Sequence, residues 1–167
     1  MLSLDPYKSE NRLKMIQNED VDNYLAQRPD VVHFHATKLP VLPCQNAQKC
    51  KLKKAIRLKL SSSFDADVTG HLGSGAFAHV FSATVNLSDA QLPNMALKYE
   101  KQRSNLPWEF YLTNKIKSRL SCDPDLKEGS VPIAKFHRLD IFSDGSMLFM
   151  DKSPTGTLHD LLNCYKK

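Results

Sequence analysis

Apolar and polar residues alternate with a period of two along much of the chain's middle. Ile56, Leu58 and Leu60 alternate with Arg57 and Lys59, and Met95, Leu97 and Tyr99 alternate with Ala96 and Lys98. That period places successive side chains on opposite faces of a strand, so these runs predict half-buried strands and not helices. Strands are predicted near 55–60, 65–73, 79–86, 94–100, 134–142 and 146–151, with Ser143-Asp144-Gly145 as the turn between the last two. Asn86 to Pro93 and Ser121 to Gly129 read as polar loops. Helices are predicted over about 107–120 and 157–165, the latter capped by Thr157 after the break at Pro154-Thr155-Gly156. Ahead of the strands, Asp5-Pro6 supplies an N-cap and a proline at the first helical position, for a helix continuing from Tyr7 to Ile16. A second short helix is predicted from Asp20 to Gln27.

Pro29, Pro40 and Pro43 then punctuate an extended run carrying Val31, Val32, Phe34, Leu39, Val41 and Leu42. This run has too few partners of its own for a core. Residues 1–54 are therefore expected to form an extension that packs on the unit formed by residues 55–167, burying Phe34, Leu39, Val41 and Leu42 against it. No internal repeat or low-complexity tract interrupts the chain.

With 41% hydrophobic and 25% charged residues among 167, the composition is that of a globular domain able to bury a core. No run approaches about 18 consecutive apolar residues, and Met1 to Tyr7 has neither a basic nor an apolar signal region, so membrane insertion and secretion are not expected. An intracellular location follows. Cys44, Cys50, Cys122 and Cys164 form no C-x-x-C pair, which speaks against a zinc site and for reduced thiols; no metal ligands are proposed. His33 and His35 can share a strand face but lack a third ligand. The net charge of +5 is concentrated at Lys49, Lys51, Lys53, Lys54, Arg57 and Lys59. A basic interaction module is one reading of that cluster. Its second half alternates with apolar residues as a strand does, and no aromatic residues interleave with the lysines, so nucleic acid is not the expected partner.

The densest chemical signal is Leu72-Gly73-Ser74-Gly75-Ala76-Phe77-Ala78-His79-Val80, followed one strand later by Ala96-Leu97-Lys98. It reads as the glycine-rich hairpin and phosphate-binding lysine of a protein kinase, G-x-G-x-x-G-x-V with Ala78 in place of the third glycine. Gly73 and Gly75 lack the Cβ atoms that would hinder approach of a nucleotide's phosphates. Glu109, in Pro107-Trp108-Glu109-Phe110-Tyr111, is expected in the first turn of its helix, paired with Lys98 at about 4 Å or less. Met150 is the expected gatekeeper at the end of a strand running behind the adenine, and the backbone of Asp151 to Ser153 is expected to hydrogen-bond the base. His137-Arg138-Leu139-Asp140 superficially matches the H-R-D catalytic loop. Its aspartate comes one residue late and no asparagine follows at the required distance, so a strand is expected there.

Taken together, residues 72–84, Pro107 to Tyr111 and Gly156-Thr157-Leu158 resemble the kinase domain of the Bub family of mitotic spindle-checkpoint serine/threonine kinases, the Pro-Trp-Glu-Phe-Tyr element being the most specific. Leu4-Asp5-Pro6-Tyr7 and the proline-punctuated run are similar to that family's extension ahead of the kinase domain. Ser74 departs from the family, where an acidic residue is common.

The resemblance implies an α+β fold: a kinase N-terminal lobe with a twisted antiparallel sheet of about five strands, one packed helix, the strap, and a final helix after the hinge. It implies ATP as cofactor, with magnesium in the full-length protein. Protein substrates and checkpoint or kinetochore proteins are the implied partners, and the nucleus or kinetochore the implied location. No catalytic-loop aspartate, D-F-G or A-P-E occurs in the sequence, and a complete kinase domain would run on for roughly 150 residues more. The chain alone is accordingly expected not to transfer phosphate. A pseudokinase or scaffold domain of a checkpoint protein is the alternative the resemblance leaves open.

Overall fold

In the computed structural model, the residues that can be described are 19–42, 54–101, 105–121, 133–154, 156 and 162–163. The expected helix over 7–16, half of the basic cluster (Lys49, Lys51 and Lys53), all four cysteines and most of the helix expected over 157–165 lie outside them; Leu162 and Asn163 are helical. The elements run α1 (Glu19–Ala26), β1 (Val31–Phe34), β2 (Ile56–Ser61), β3 (Phe64–Ser74), β4 (Ala78–Leu87), β5 (Gln91–Glu100), α2 (Asn105–Ser121), β6 (Phe136–Phe142) and β7 (Ser146–Asp151).

All seven strands join one sheet in the order β1-β6-β7-β5-β4-β3-β2. Every pairing is antiparallel except that of β1 with β6, where Val31 lies opposite Leu139 and Phe34 opposite Phe142 in parallel. The expected lobe is therefore present, with more strands than the five anticipated. The added edge comes from the strap: its Val31 to Phe34 run finds its backbone partners about a hundred residues away, a pairing that no local pattern announces.

The sheet curls until strands from its two ends share one core. Leu58 and Leu60 of β2, Phe81 of β4, Leu97 of β5, Phe142 of β6 and Phe149 of β7 belong to a single buried cluster. The Arg138 guanidinium of β6 lies 4.1 Å from the ring centre of Phe64 on β3, although three strands separate the two in the sheet order. Leu39 and Leu42 close this cluster, at 6% and 4% exposure, and Phe34 stacks on Phe142 with ring centres 4.8 Å apart. Val41 breaks the expectation of burial at 80% exposure. Residues 38–42 belong to no strand, so the two-residue alternation that would have set Val41 beside the buried Leu39 does not hold there. The strap is also pinned by polar bonds to the β6–β7 turn: Leu39 N–H donates to Asp144 Oδ1 at 2.7 Å, and Ser143 N–H to the Thr37 carbonyl at 3.1 Å.

On the other face α1 and α2 cover a second cluster. Val21 and Leu25 of α1 meet Leu106 and Phe110 of α2 above Val31, Leu139, Ile141 and Leu148 of the sheet. Strand β5 begins at Gln91, inside the segment expected to be loop. Pro93 is accommodated there because Asn94 adopts φ 61° and the register with β4 slips between Ala83 and Val85, a bulge that removes the need for a proline N–H. His137 to Asp140 lies in β6, as the displaced aspartate implied.

Asp140 is fully buried, with Arg138 Nε donating to its Oδ1 at 2.6 Å. Burial outweighs the guanidinium and pushes the carboxyl up to about 6. The folded state then holds this proton more tightly than the unfolded chain, so its contribution falls as pH rises from about 4 to 6, by about 3 kcal/mol. Urea unfolding across that range should show an Asp140→Asn variant lacking this fall; identical slopes in both proteins would contradict it.

Candidate nucleotide site

Strands β3 and β4 form a hairpin whose tip is Gly75-Ala76-Phe77, closed by Gly75 N–H donating to the Ala78 carbonyl at 2.8 Å. Neither Gly73 nor Gly75 has a left-handed φ. A Cβ built on Gly73 would meet nothing within 4 Å, and one on Gly75 only the Ala78 carbonyl at 3.9 Å. Backbone conformation and packing thus leave both positions free for a side chain, and the space a Cβ would take stays open. Phe77 at the tip is 60% exposed.

Beneath the hairpin lies a cavity of about 370 Å³, walled by Gly75, Ala76, Phe77, Ala78 and Val80 above and by Lys98, Glu100, Asn105, Leu106 and Glu109 below. Val80 faces Lys98 across the β4–β5 ladder, and Ala96 is paired with Met150 across β5–β7. Lys98 Nζ donates to Glu109 Oε2 at 2.6 Å, within the distance expected from sequence.

Helix α2 begins at Asn105, two residues before the expected start, and this moves Glu109 out of the first turn. The helix dipole is therefore no reason for an acid at this position; its partner is Lys98. Pro107 is tolerated because it falls in the first turn, where N–H groups have no acceptor within the helix.

Not all the residues expected at the site converge. Leu72 is 45% exposed, and Leu72, Gly73, Ala96 and Met150 do not line the cavity. Ser74 turns away from it: its Oγ lies 2.7 Å from His71 Nε2 and 2.8 Å from His79 Nδ1. His79 is held below the usual histidine range by burial, then by His71 and Lys101. Asp151 and Ser153 border a separate cavity of about 570 Å³ with Pro93, Asn94, Lys135 and Lys152. The Asp151 N–H donates to the Lys135 carbonyl at 3.0 Å and its carboxylate meets His137 Nε2 at 2.5 Å. That amide is therefore not available to a base, which corrects the expectation for Asp151.

Glu100, Asn105 and Leu106 line the cavity without having been singled out by motif. The signal for Glu100 lay in the period of two, since it shares a strand face with Ala96 and Lys98. It is 1% exposed, and burial pushes its carboxyl up, while bonds from Asn105 and Leu106 and the charge of Lys98 draw it back.

No family model matches the chain. Over 96 residues, 58% of its length, it is 32% identical to the mitotic checkpoint serine/threonine-protein kinase BUB1 of Arabidopsis thaliana. Over 100 residues it is 32% identical to the spindle assembly checkpoint serine/threonine-protein kinase BUB1 of Saccharomyces cerevisiae. The chain spans 17% and 9% of those relatives' lengths. A crystal structure of the BubR1 kinase domain superposes with a TM-score of 0.67 at 20% identity, over 97% of this chain and 42% of that one, a likeness of fold.

Proposed function

Because this chain carries a kinase N-lobe of the Bub family, we propose that its cavity under the glycine hairpin receives the phosphates of ATP, as part of a spindle-checkpoint serine/threonine kinase. The observation that carries the reading is the Lys98–Glu109 pair, closed at 2.6 Å on the floor of that cavity. A lysine held there by a carboxylate presents its ammonium to phosphate oxygens, and the open space over Gly73 and Gly75 suits close backbone approach. These features fit a triphosphate. The remaining roles follow the same reading: the adenine against Ala96, Val80 and Met150, its polar edge on backbone groups of residues 151–153, and magnesium accompanying the phosphates in the full-length protein. ATP supplies the phosphoryl group, and this lobe's residues bind and orient it.

Checkpoint proteins are the proposed partners and substrates, with the nucleus and kinetochore as the place of action. Among the described residues no helix is long and apolar enough to cross a membrane. Within the basic cluster, Arg57 Nη2 is bonded to Asp65 Oδ2 at 3.0 Å across the β2–β3 pair, a structural use of that charge.

Titration of the chain with ATP and magnesium tests the reading. Lys98→Met is expected to weaken binding about tenfold or more, the loss of one charge-assisted hydrogen bond, with the thermal midpoint of the free chain little changed. Equal affinity in the two proteins, or none in the parent, would remove the proposal.

A further inference from the structure

Two cross-links tie β5 to α2, and only one contains the lysine. Lys98 and Glu100 are two residues apart on one face of β5, a separation of about 6.6 Å along a strand. On α2, Asn105 and Glu109 are four residues apart, about 6 Å along a helix and on the same side. The spacings match, and the helix runs opposite to the strand: Lys98 meets Glu109, and Glu100 meets the helix start. There the Glu100 carboxylate accepts from Asn105 Nδ2 through Oε1 and from Leu106 N–H at 3.2 Å through Oε2.

The two links differ in exposure. Lys98 and Glu109 are 25% and 38% exposed, whereas Glu100 is 1% exposed with both carboxylate oxygens engaged. An ion pair open to water does little to hold a helix in place. A buried carboxylate must keep its donors, because losing them strands it without solvent. The charged groups facing Glu100 are Lys98, from its own strand, and Glu109, from α2.

We infer that Glu100 is the positioning residue of this site: by holding the first turn of α2 against β5 it sets the reach of Glu109 and hence the seat of the Lys98 ammonium. The inference rests on the nucleotide reading for its consequence, and on the two carboxylate bonds for the anchoring itself. Although Glu100 borders the cavity, both of its carboxylate oxygens are engaged by the start of α2, so it acts through the helix.

The test uses the whole chain in three forms: the parent, Glu100→Ala, and the exchange Glu100→Gln with Asn105→Asp. In the exchange the new amide donates to the new carboxylate while its oxygen still accepts from Leu106 N–H, so the link is rebuilt with its polarity reversed. Amide hydrogen exchange at Leu106, Glu109 and Phe110 should quicken about tenfold or more in Glu100→Ala while amides of β6 and β7 keep their rates, and the double variant should return toward the parent. ATP affinity should fall and recover in step. Unchanged rates at α2 in Glu100→Ala overturn the inference, as does uniform acceleration across the sheet that the double variant fails to reverse. If the parent binds no ATP yet the exchange rates behave as stated, the anchoring stands and the nucleotide reading is what fails.

Discussion

A chain beginning after Leu42 should show no cooperative unfolding transition. Truncation there removes Val21, Leu25 and Val31 from the cluster under the helices and Leu39 and Leu42 from the cluster inside the curled sheet, all five below 9% exposure. Each such side chain contributes about 1.5–3 kcal/mol as an upper figure, about 7–15 together. A domain of ordinary stability has about 5–15 kcal/mol in all. The loss is therefore comparable with the whole, and it comes with an unpaired β6 edge, since β1 is its outer partner. Circular dichroism during heating and in urea reads the outcome. A sharp transition at the parent's midpoint would reduce the strap to a tail. Should the truncated protein prove insoluble, Leu39→Ala with Leu42→Ala in the full chain measures the same packing, with an expected loss of about 4 kcal/mol or more.

Among Gly70, Gly73, Gly75 and Gly145, replacement by alanine should be most damaging at Gly145. A Cβ there would collide with the Glu100 carbonyl oxygen, come within 2.7 Å of Leu39 Cδ2, and lie 3.2 Å from the Lys101 Cα. Leu39 can shift, but the Glu100 carbonyl belongs to the β5 backbone beside Ser146 and cannot yield without disturbing the ladder. Overpacking of this kind costs about 3 kcal/mol. The same collision would press on the strap and on the strand end that carries Glu100, so the variant should also loosen α2. Urea midpoints for Gly145→Ala beside Gly73→Ala separate this cause from any general intolerance of substitution, since the latter meets open space. Equal, small losses in both would refute the packing argument.

The residues that sequence made legible are those whose constraint is local. A hairpin with a small-residue tip, a lysine two places after an alanine on the next strand and an acid on the following helix follow from periodicity and turn chemistry, and the structure closes Lys98 and Glu109 to 2.6 Å. The six strands from β2 to β7 were legible because each is a short alternating or continuously apolar run bounded by turn or loop residues.

Other features depend on parts of the chain far apart in sequence. Val31 to Phe34 reads as an extended strap, and only the free edge of β6 makes it a parallel strand. Val41 is as apolar as Leu39 and Leu42 yet faces water, because the strap's orientation is set by the Asp144 and Thr37 bonds to the β6–β7 turn. Gly145 reads as a turn glycine, yet its φ is not left-handed; the approach of Glu100 and Leu39 is what leaves no room for a Cβ. Ser74 belongs to the glycine motif by position, and its side chain is drawn out of the cavity by two histidines. Glu100 carries no motif at all. Its neighbours in sequence mark it as a strand residue on the lysine's face, and the docking of α2 buries it and turns it into an anchor. The sequence alone determined six of the strands, the faces of β2 and β5 and the Lys98–Glu109 pairing, because each rests on interactions a few residues long or on a motif spacing. The sheet's seventh strand, the exposure of Val41 and the grip of Glu100 on α2 were decided by tertiary structure, because burial and hydrogen-bond partners are set by what the folded chain brings alongside.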